Sequence, residues 1–247
     1  MTRRLEGKVA LVTGATRGIG AGVVQELARE GAHIIMVGRT PGALEDMDDA
    51  VRELGGEATL APFDLGDFDA IDRLGGHVAA TWGKLDILIG NAGILGPISP
   101  LGHIPPREWD QLMAINVTAN YRLLRSFDPL LKAADAGRAV FVTSTVAESC
   151  RPYWGGYATT KAALNCLVKT YAHEVANNTN VKANILNPGP IRTGMRAAAM
   201  PGEDPDTLDT PFDIAPLFVK MSLADFQANG EIISYADYKD GAYKDLF

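Results

Sequence analysis

Tyr157 and Lys161 stand four residues apart in the stretch GGYATTKAAL, positions 155–164. Residues at i and i+4 of a helix share a face, so this phenol and this ammonium point the same way. Free tyrosine titrates at about pH 10 and is a poor proton donor or acceptor at neutrality. A neighbouring ammonium favours the phenolate and is expected to bring that pKa down toward working pH. The pair reads as a proton-transfer device, with Lys161 tuning Tyr157.

A second chemical signal lies near the start of the chain. VALVTGATRGIGAGVV sets Gly14, Gly18 and Gly20 between a buried strand and an amphipathic helix. Glycines at such a turn let the backbone approach a pyrophosphate, which then sits at the helix N-terminus. The strand–turn–helix context is what gives the pattern its weight.

Both devices need a scaffold. Short apolar runs recur at 8–13, 33–38, 58–63, 85–90, 138–144, 181–186 and 230–235, separated by stretches of helical period. Nearly continuous apolar runs are those of strands covered on both faces. The alternation predicts an α/β fold, a Rossmann-type doubly wound parallel sheet of about seven strands with helices on both faces. No linker interrupts it, so residues 1–247 are expected to form one dinucleotide-binding and catalytic domain. The one long irregular stretch, 188–210, reads as a substrate-binding loop at about 190–210. It ends in Thr210-Pro211-Phe212-Asp213, an N-cap, a first-turn proline and an acid, predicting a helix over roughly 211–224.

Composition narrows the function. Apolar residues make up 47% of the 247, ample for a core, and the net charge of −7 lacks the basic footprint of a nucleic-acid binder. No apolar run approaches a membrane span. Two cysteines, Cys150 and Cys166, make neither a disulfide framework nor a metal pair, and the four histidines are scattered, so no metal site is expected. A reduced, cytoplasmic chain is the natural expectation.

The glycine spacing T-G-x-x-x-G-x-G resembles that of the short-chain dehydrogenase/reductase family, in its single-domain branch of about 250 residues. The resemblance covers almost the whole chain. Asp64-Leu65 follows the third strand, where the family binds adenine. Asn91-Ala92-Gly93 follows the fourth, matching N-N-A-G except that Gly90 replaces the first asparagine. Asn116 lies in AINVTA, Ser144 ends the fifth strand, and Pro188-Gly189 with Thr193 match P-G-x-x-x-T after the sixth.

The resemblance implies an oxidoreductase that moves a hydride between a nicotinamide dinucleotide and a carbonyl or alcohol. Tyr157 would exchange a proton with the substrate oxygen, and Ser144 would hydrogen-bond that oxygen. Lys161 would hold the nicotinamide ribose, and Asn116 would anchor a water relaying protons through Lys161. The cofactor is expected against Gly14, Thr16, Arg17, Gly18, Ile19, Gly20, Arg39, Asp64, Leu65, Asn91, Ala92, Gly93, Tyr157, Lys161, Pro188, Gly189, Ile191 and Thr193. Two other readings stay open: a reductase specific for 3-oxoacyl thioesters, and a dinucleotide-binding sensor without turnover.

Cofactor choice turns on the end of the second strand. NAD-dependent relatives usually carry an aspartate there, whereas this chain reads Val37-Gly38-Arg39-Thr40. Arg39 and Arg17 can pair with a 2′-phosphate, so NADP(H) is expected over NAD(H).

The substrate pocket is expected to draw on Ile94, Leu95, the segment 146–154 and the loop. Tyr153, Trp154, Ile191, Met195 and Met200 would form an apolar lining, while Arg192 and Arg196 are candidates to meet an anionic group. Relatives pair their long helices into homotetramers or homodimers, and Ala158, Ala162 and Ala163 would let helices approach closely.

Overall fold

Short runs rich in β-branched and aliphatic residues, fully buried in the central strands and less so in the outer ones, build the centre of the molecule. In the computed structural model, which describes residues 3–246, seven of them become strands: β1 (Val9–Thr13), β2 (His33–Gly38), β3 (Glu57–Pro62), β4 (Ile87–Gly90), β5 (Arg138–Val142), β6 (Lys182–Asn187) and β7 (Ile232–Ser234). Met1, Thr2 and Phe247 of the expected 1–247 domain lie outside the described residues. All six pairings are parallel, in the order β3-β2-β1-β4-β5-β6-β7. This is the doubly wound sheet the alternation predicted.

The period of two along each strand assigns side chains to two cores. Ala10 and Val12 of β1, with Ile34 and Met36 of β2, face one layer; Val9, Leu11, Ile35 and Val37 face the other. The first layer is covered by α1 (Gly18–Arg29), α2 (Pro41–Glu53) and α9 (Pro211–Ser222), through Val23, Leu27, Leu44, Ile214 and Phe218. The second is covered by α3 (Phe68–Trp82), α5 (Ala119–Ala133) and α7 (Gly155–Val175), through Ile71, Phe127, Leu164 and Val168. Helix α4 (Pro106–Met113) runs into α5 through a π-helical turn, Ala114–Thr118, which holds Asn116.

Sheet order reverses at β1, whose neighbours are β2 and β4. A crevice opens beyond the carboxyl ends of strands at such a switch point. The Gly14 turn, Arg39, Asn91, Ser144 and Pro188 all follow strand ends on that one side.

The stretch 188–210 departs from the irregular loop expected. It holds a short helix, α8 (Gly194–Ala199), and a 3₁₀ turn, Pro205–Thr207. Its base is closed by a bridge between Ile191 and Asp209, with Arg192 N–H donating to the Asp209 carbonyl at 2.8 Å. Thr193 caps α8 by accepting from Arg196 N–H at 3.1 Å, a local bond that short polar side chains supply at helix starts. The expected cap of α9 is present, since Thr210 and Asp213 form a reciprocal capping box. Of the small residues expected to face another helix, Ala158 is buried in the molecule, whereas Ala162 is exposed. The remaining helices are α6 (Val146–Ser149) and α10 (Tyr235–Lys239). Among the described residues no helix is long and apolar enough to cross a membrane.

Candidate active site

The glycine turn is shaped by what a side chain would strike. Gly14 lies at φ +65°, a conformation that L side chains rarely adopt. A Cβ on Gly20 would collide with the Gly14 carbonyl and stand 2.6 Å from Asn91 Nδ2, so the helix and the turn touch backbone to backbone. Helix α1 begins with no side-chain cap and no acid in its first turn. Its leading N–H groups are thus left to an anion, and the cradle fits a pyrophosphate.

Thr13 welds this turn to the end of β4. Its Oγ1 donates to the Ile89 carbonyl and accepts from Asn91 N–H and Ala92 N–H, both at 3.1 Å. Asn91 Nδ2 returns bonds to the carbonyls of Thr13 (2.9 Å) and Gly14 (3.3 Å). The departure at Gly90 has a steric cause: a Cβ there would overlap the Phe141 ring. Thr193 crosses to the same turn, its methyl 3.3 Å from where a Gly18 Cβ would stand.

Tyr157 and Lys161 emerge from the first turns of α7, and both are buried. Lys161 Nζ donates to the Val142 carbonyl at 2.8 Å, tying the helix to the end of β5 two residues before Ser144. The same Nζ lies 5.6 Å from the centre of the Tyr157 ring. Ser144 itself is half-buried.

Asn116 is fully buried and bonded on every side. Its Oδ1 accepts from Ile94 N–H, its Nδ2 donates to the Ile94 carbonyl, both at 2.9 Å, and Nδ2 also reaches Thr160 Oγ1 at 3.0 Å. Thr160 Oγ1 donates in turn to the Tyr157 carbonyl at 2.8 Å. A continuous bridge therefore runs from the segment after β4, through the π turn, to the backbone of Tyr157. The Asn116 carbonyl accepts from Asn120 Nδ2 at 2.8 Å.

Thr160, Thr13 and Asn120 were not among the residues picked from sequence. Thr13 and Thr160 sit inside the quoted motifs, and burial of a hydroxyl with so many partners is the signal that marks them.

Burial moves the two titrating groups away from the expected direction. The Tyr157 phenol is pushed up to about 12 and the Lys161 ammonium down to about 8, each because its charged form loses water. The helical spacing suggested that the ammonium would lower the phenol. In the protein alone desolvation outweighs that attraction, and the ammonium's hydrogen bond goes to Val142.

At the far end of the crevice, Arg39 and Asp64 face each other at 3.5 Å, both about half exposed or more. Asp64 also accepts from Gly66 N–H at 2.8 Å. Thr16 packs its methyl over Gly38, and Arg17 is exposed at the head of α1. Ala92, Gly93, Ile19 and Gly189 are part-buried along the same crevice, while Pro188 is buried. Two expected contacts have their side chains elsewhere: Leu65 and Ile191 pack theirs into the two cores rather than into an open pocket.

The loop arginines are likewise engaged. Arg196 makes a two-pronged pair with Glu203, Nε and Nη2 each 2.5 Å from a carboxylate oxygen, and Arg192 pairs with Asp206 at 2.9 Å. Each arginine has its carboxylate partner inside the loop that carries it.

The fold recurs among known proteins. The family model for short chain dehydrogenases matches residues 8–204. The chain is 36% identical over 218 residues to the uncharacterized oxidoreductase YciK of Escherichia coli (strain K12), covering 87% of this chain and 86% of that protein. A short chain dehydrogenase from Pseudomonas syringae superposes with a TM-score of 0.92 at 36% identity, covering 95% and 96% of the two chains. Another, from Shigella flexneri 2a str. 301 and complexed with NADP, gives 0.91 at 34% identity, covering 95% and 99%. Fold, glycine turn and relatives agree, and the chain belongs to the short chain dehydrogenase family.

Proposed function

We propose that the protein is an NADP(H)-dependent oxidoreductase that interconverts a carbonyl compound and its alcohol, with Tyr157 as general acid and base. The observation that carries this reading is the buried Tyr157–Lys161 pair, anchored to Val142 on one side and to Asn116 through Thr160 on the other. A protein that only bound a dinucleotide would need the glycine turn but not this pair.

The residues divide the work. The open N–H groups at the head of α1 hold the pyrophosphate, and Arg39 and Arg17, with no acid at the end of β2, receive a 2′-phosphate. The NADP bound by the Shigella flexneri relative, 34% identical, supports that choice. When bound, the nicotinamide supplies or takes the hydride. Tyr157 Oη gives its proton to the oxygen as a carbonyl becomes an alcohol, and regains it in the reverse direction. Ser144, just beyond the end of β5, hydrogen-bonds the same oxygen. Lys161 holds its position through Val142 and supplies positive charge below the phenol.

The test is NADPH oxidation across a panel of carbonyl compounds, with NADH in parallel and Tyr157→Phe alongside. Turnover by the native protein that falls at least about a thousandfold in the variant supports the reading. Undiminished turnover by the variant overturns it.

A further inference from the structure

The wall around Tyr157 is apolar, and it is assembled from four segments. Val146, Trp154, Tyr157 and Ala158 form one buried cluster, with Leu95, Ala199 and Met200 packed against it. Trp154 meets Tyr157 edge-on, ring centres 6.3 Å apart. The end of α8 thus packs against the cluster that holds Tyr157 through two apolar side chains rather than through a charge.

Beyond the wall, the rim is apolar as well. Ser99 N–H donates to the Tyr153 carbonyl at 2.9 Å, and Leu101 packs against Gly155, which stitches segment 98–101 to the entry of α7. Ile98, Leu101 and Tyr153 on these segments are exposed, as is Met195 on α8. Large apolar side chains are left in water at some cost, and a cluster of them beside a reactive group marks the surface a ligand covers.

Charge at the same place is cancelled. The two loop arginines that could have met an anion are held by Glu203 and Asp206. They share with Met200 the lining of a cavity of about 250 Å³ within the loop. Of the other cations, Arg151 lies over the Trp154 ring at 5.7 Å, and Lys161 is buried with its hydrogen bond on Val142. A carboxylate or phosphate reaching the buried wall of Val146, Trp154, Tyr157 and Ala158 would lose water where the nearest ammonium, Lys161, already bonds to Val142.

We infer that the substrate is a neutral, largely apolar carbonyl compound or its alcohol, and not a carboxylate, a phosphate or a coenzyme A thioester. This rests on the oxidoreductase reading above and supplies the substrate class that reading leaves open.

Ethyl benzoylformate and benzoylformate share the reacting aryl ketone and differ in the group beside it, a neutral ethyl ester against a carboxylate. Binding of each is measured by isothermal titration, to the protein alone and with NADP+ present, and reduction is followed with NADPH. The neutral ester is expected to bind at least about tenfold more tightly and to be reduced with kcat/KM at least about a hundredfold higher. Met200→Lys should narrow both ratios. Equal or tighter binding of the acid, or binding of neither compound, overturns the substrate class. If the ester binds preferentially yet is not reduced, the apolar site stands and the oxidoreductase reading is what fails.

Discussion

Lys161 Nζ donates to the Val142 carbonyl at 2.8 Å, across the boundary between α7 and the end of β5. This bond fixes an ammonium in a place that water does not reach. The consequence is a pKa driven down to about 8 by burial, from an ordinary value of 10.5. A lysine whose folded pKa lies below its unfolded one destabilises the fold while both states are protonated, and the cost is relieved as pH rises from about 8 to 10.5. The shift corresponds to about 3 kcal/mol. Unfolding by urea at pH 7 and pH 9.5 should therefore show the native protein gaining stability relative to Lys161→Met. Parallel curves for the two proteins would show that Lys161 does not titrate in this window. Above about pH 10.5 the native protein's own stability should fall, because the Tyr157 phenol, raised to about 12, stays protonated in the fold while the unfolded chain releases its proton.

The bridge Ile94–Asn116–Thr160–Tyr157 predicts an effect separable from cofactor binding. Thr160→Val removes the hydroxyl that accepts from Asn116 and leaves that amide one partner short. We expect kcat to fall about tenfold, NADPH affinity to stay within about twofold, and stability to drop by about 1–2 kcal/mol. Thr160→Ser should restore kcat. A loss of stability with kcat unchanged would reduce Thr160 to a packing residue.

Arg39 stands at 3.5 Å from Asp64 and is largely exposed, free to turn toward a phosphate. In Arg39→Asp the charge that would meet the 2′-phosphate is reversed. NADPH binding, followed by fluorescence titration, should weaken by about ten- to a hundredfold, with NADH changed by less than about threefold. Equal losses for the two would mean that Arg39 does not read the phosphate.

Gly20→Ala offers a steric test of the cradle. The added methyl would overlap the Gly14 carbonyl and crowd Asn91 Nδ2, so the turn and the head of α1 must part. NADPH binding is expected to fall by at least about a hundredfold, and unfolding should begin at lower urea. Binding at native strength would show that the backbone contact is dispensable.

Much of this was legible in the chain, for identifiable reasons. The strands were readable because a parallel sheet buried on both faces demands continuous runs such as VALVT and ILIG. Gly14 and Gly20 were readable because no other residue fits those positions. The fate of Arg192 and Arg196 was not, since their partners Asp206 and Glu203 become neighbours only when the loop folds back through α8. Nor was the direction of the Tyr157 shift: spacing shows that an ammonium is near, but not that burial strips both groups of water. Asn116 was picked out, yet its work of holding Ile94 and Thr160 depends on segments 22 and 44 residues away.

Arg138 is a charged residue whose burial no spacing in the chain announces. It opens β5 at the end of the sheet opposite Ser144 and is only 2% exposed. Its guanidinium donates to the carbonyls of Gly137, Asn180, Leu223 and Ala224, joining the foot of β5 to the turns before β6 and after α9. Burial lowers its pKa, but a guanidinium stays charged, so four carbonyls solvate a cation that water no longer reaches. Arg138→Met removes the cation together with its donors and should cost about 2–4 kcal/mol in urea unfolding. Arg138→Lys keeps the charge but lacks the planar fork, and should recover only part of the loss. Because the foot of β5 is remote from Tyr157, kcat of the folded fraction should stay within about twofold for both variants. A fall in kcat larger than the loss of folded protein would show that strain at Arg138 reaches Val142 and Lys161 along the strand.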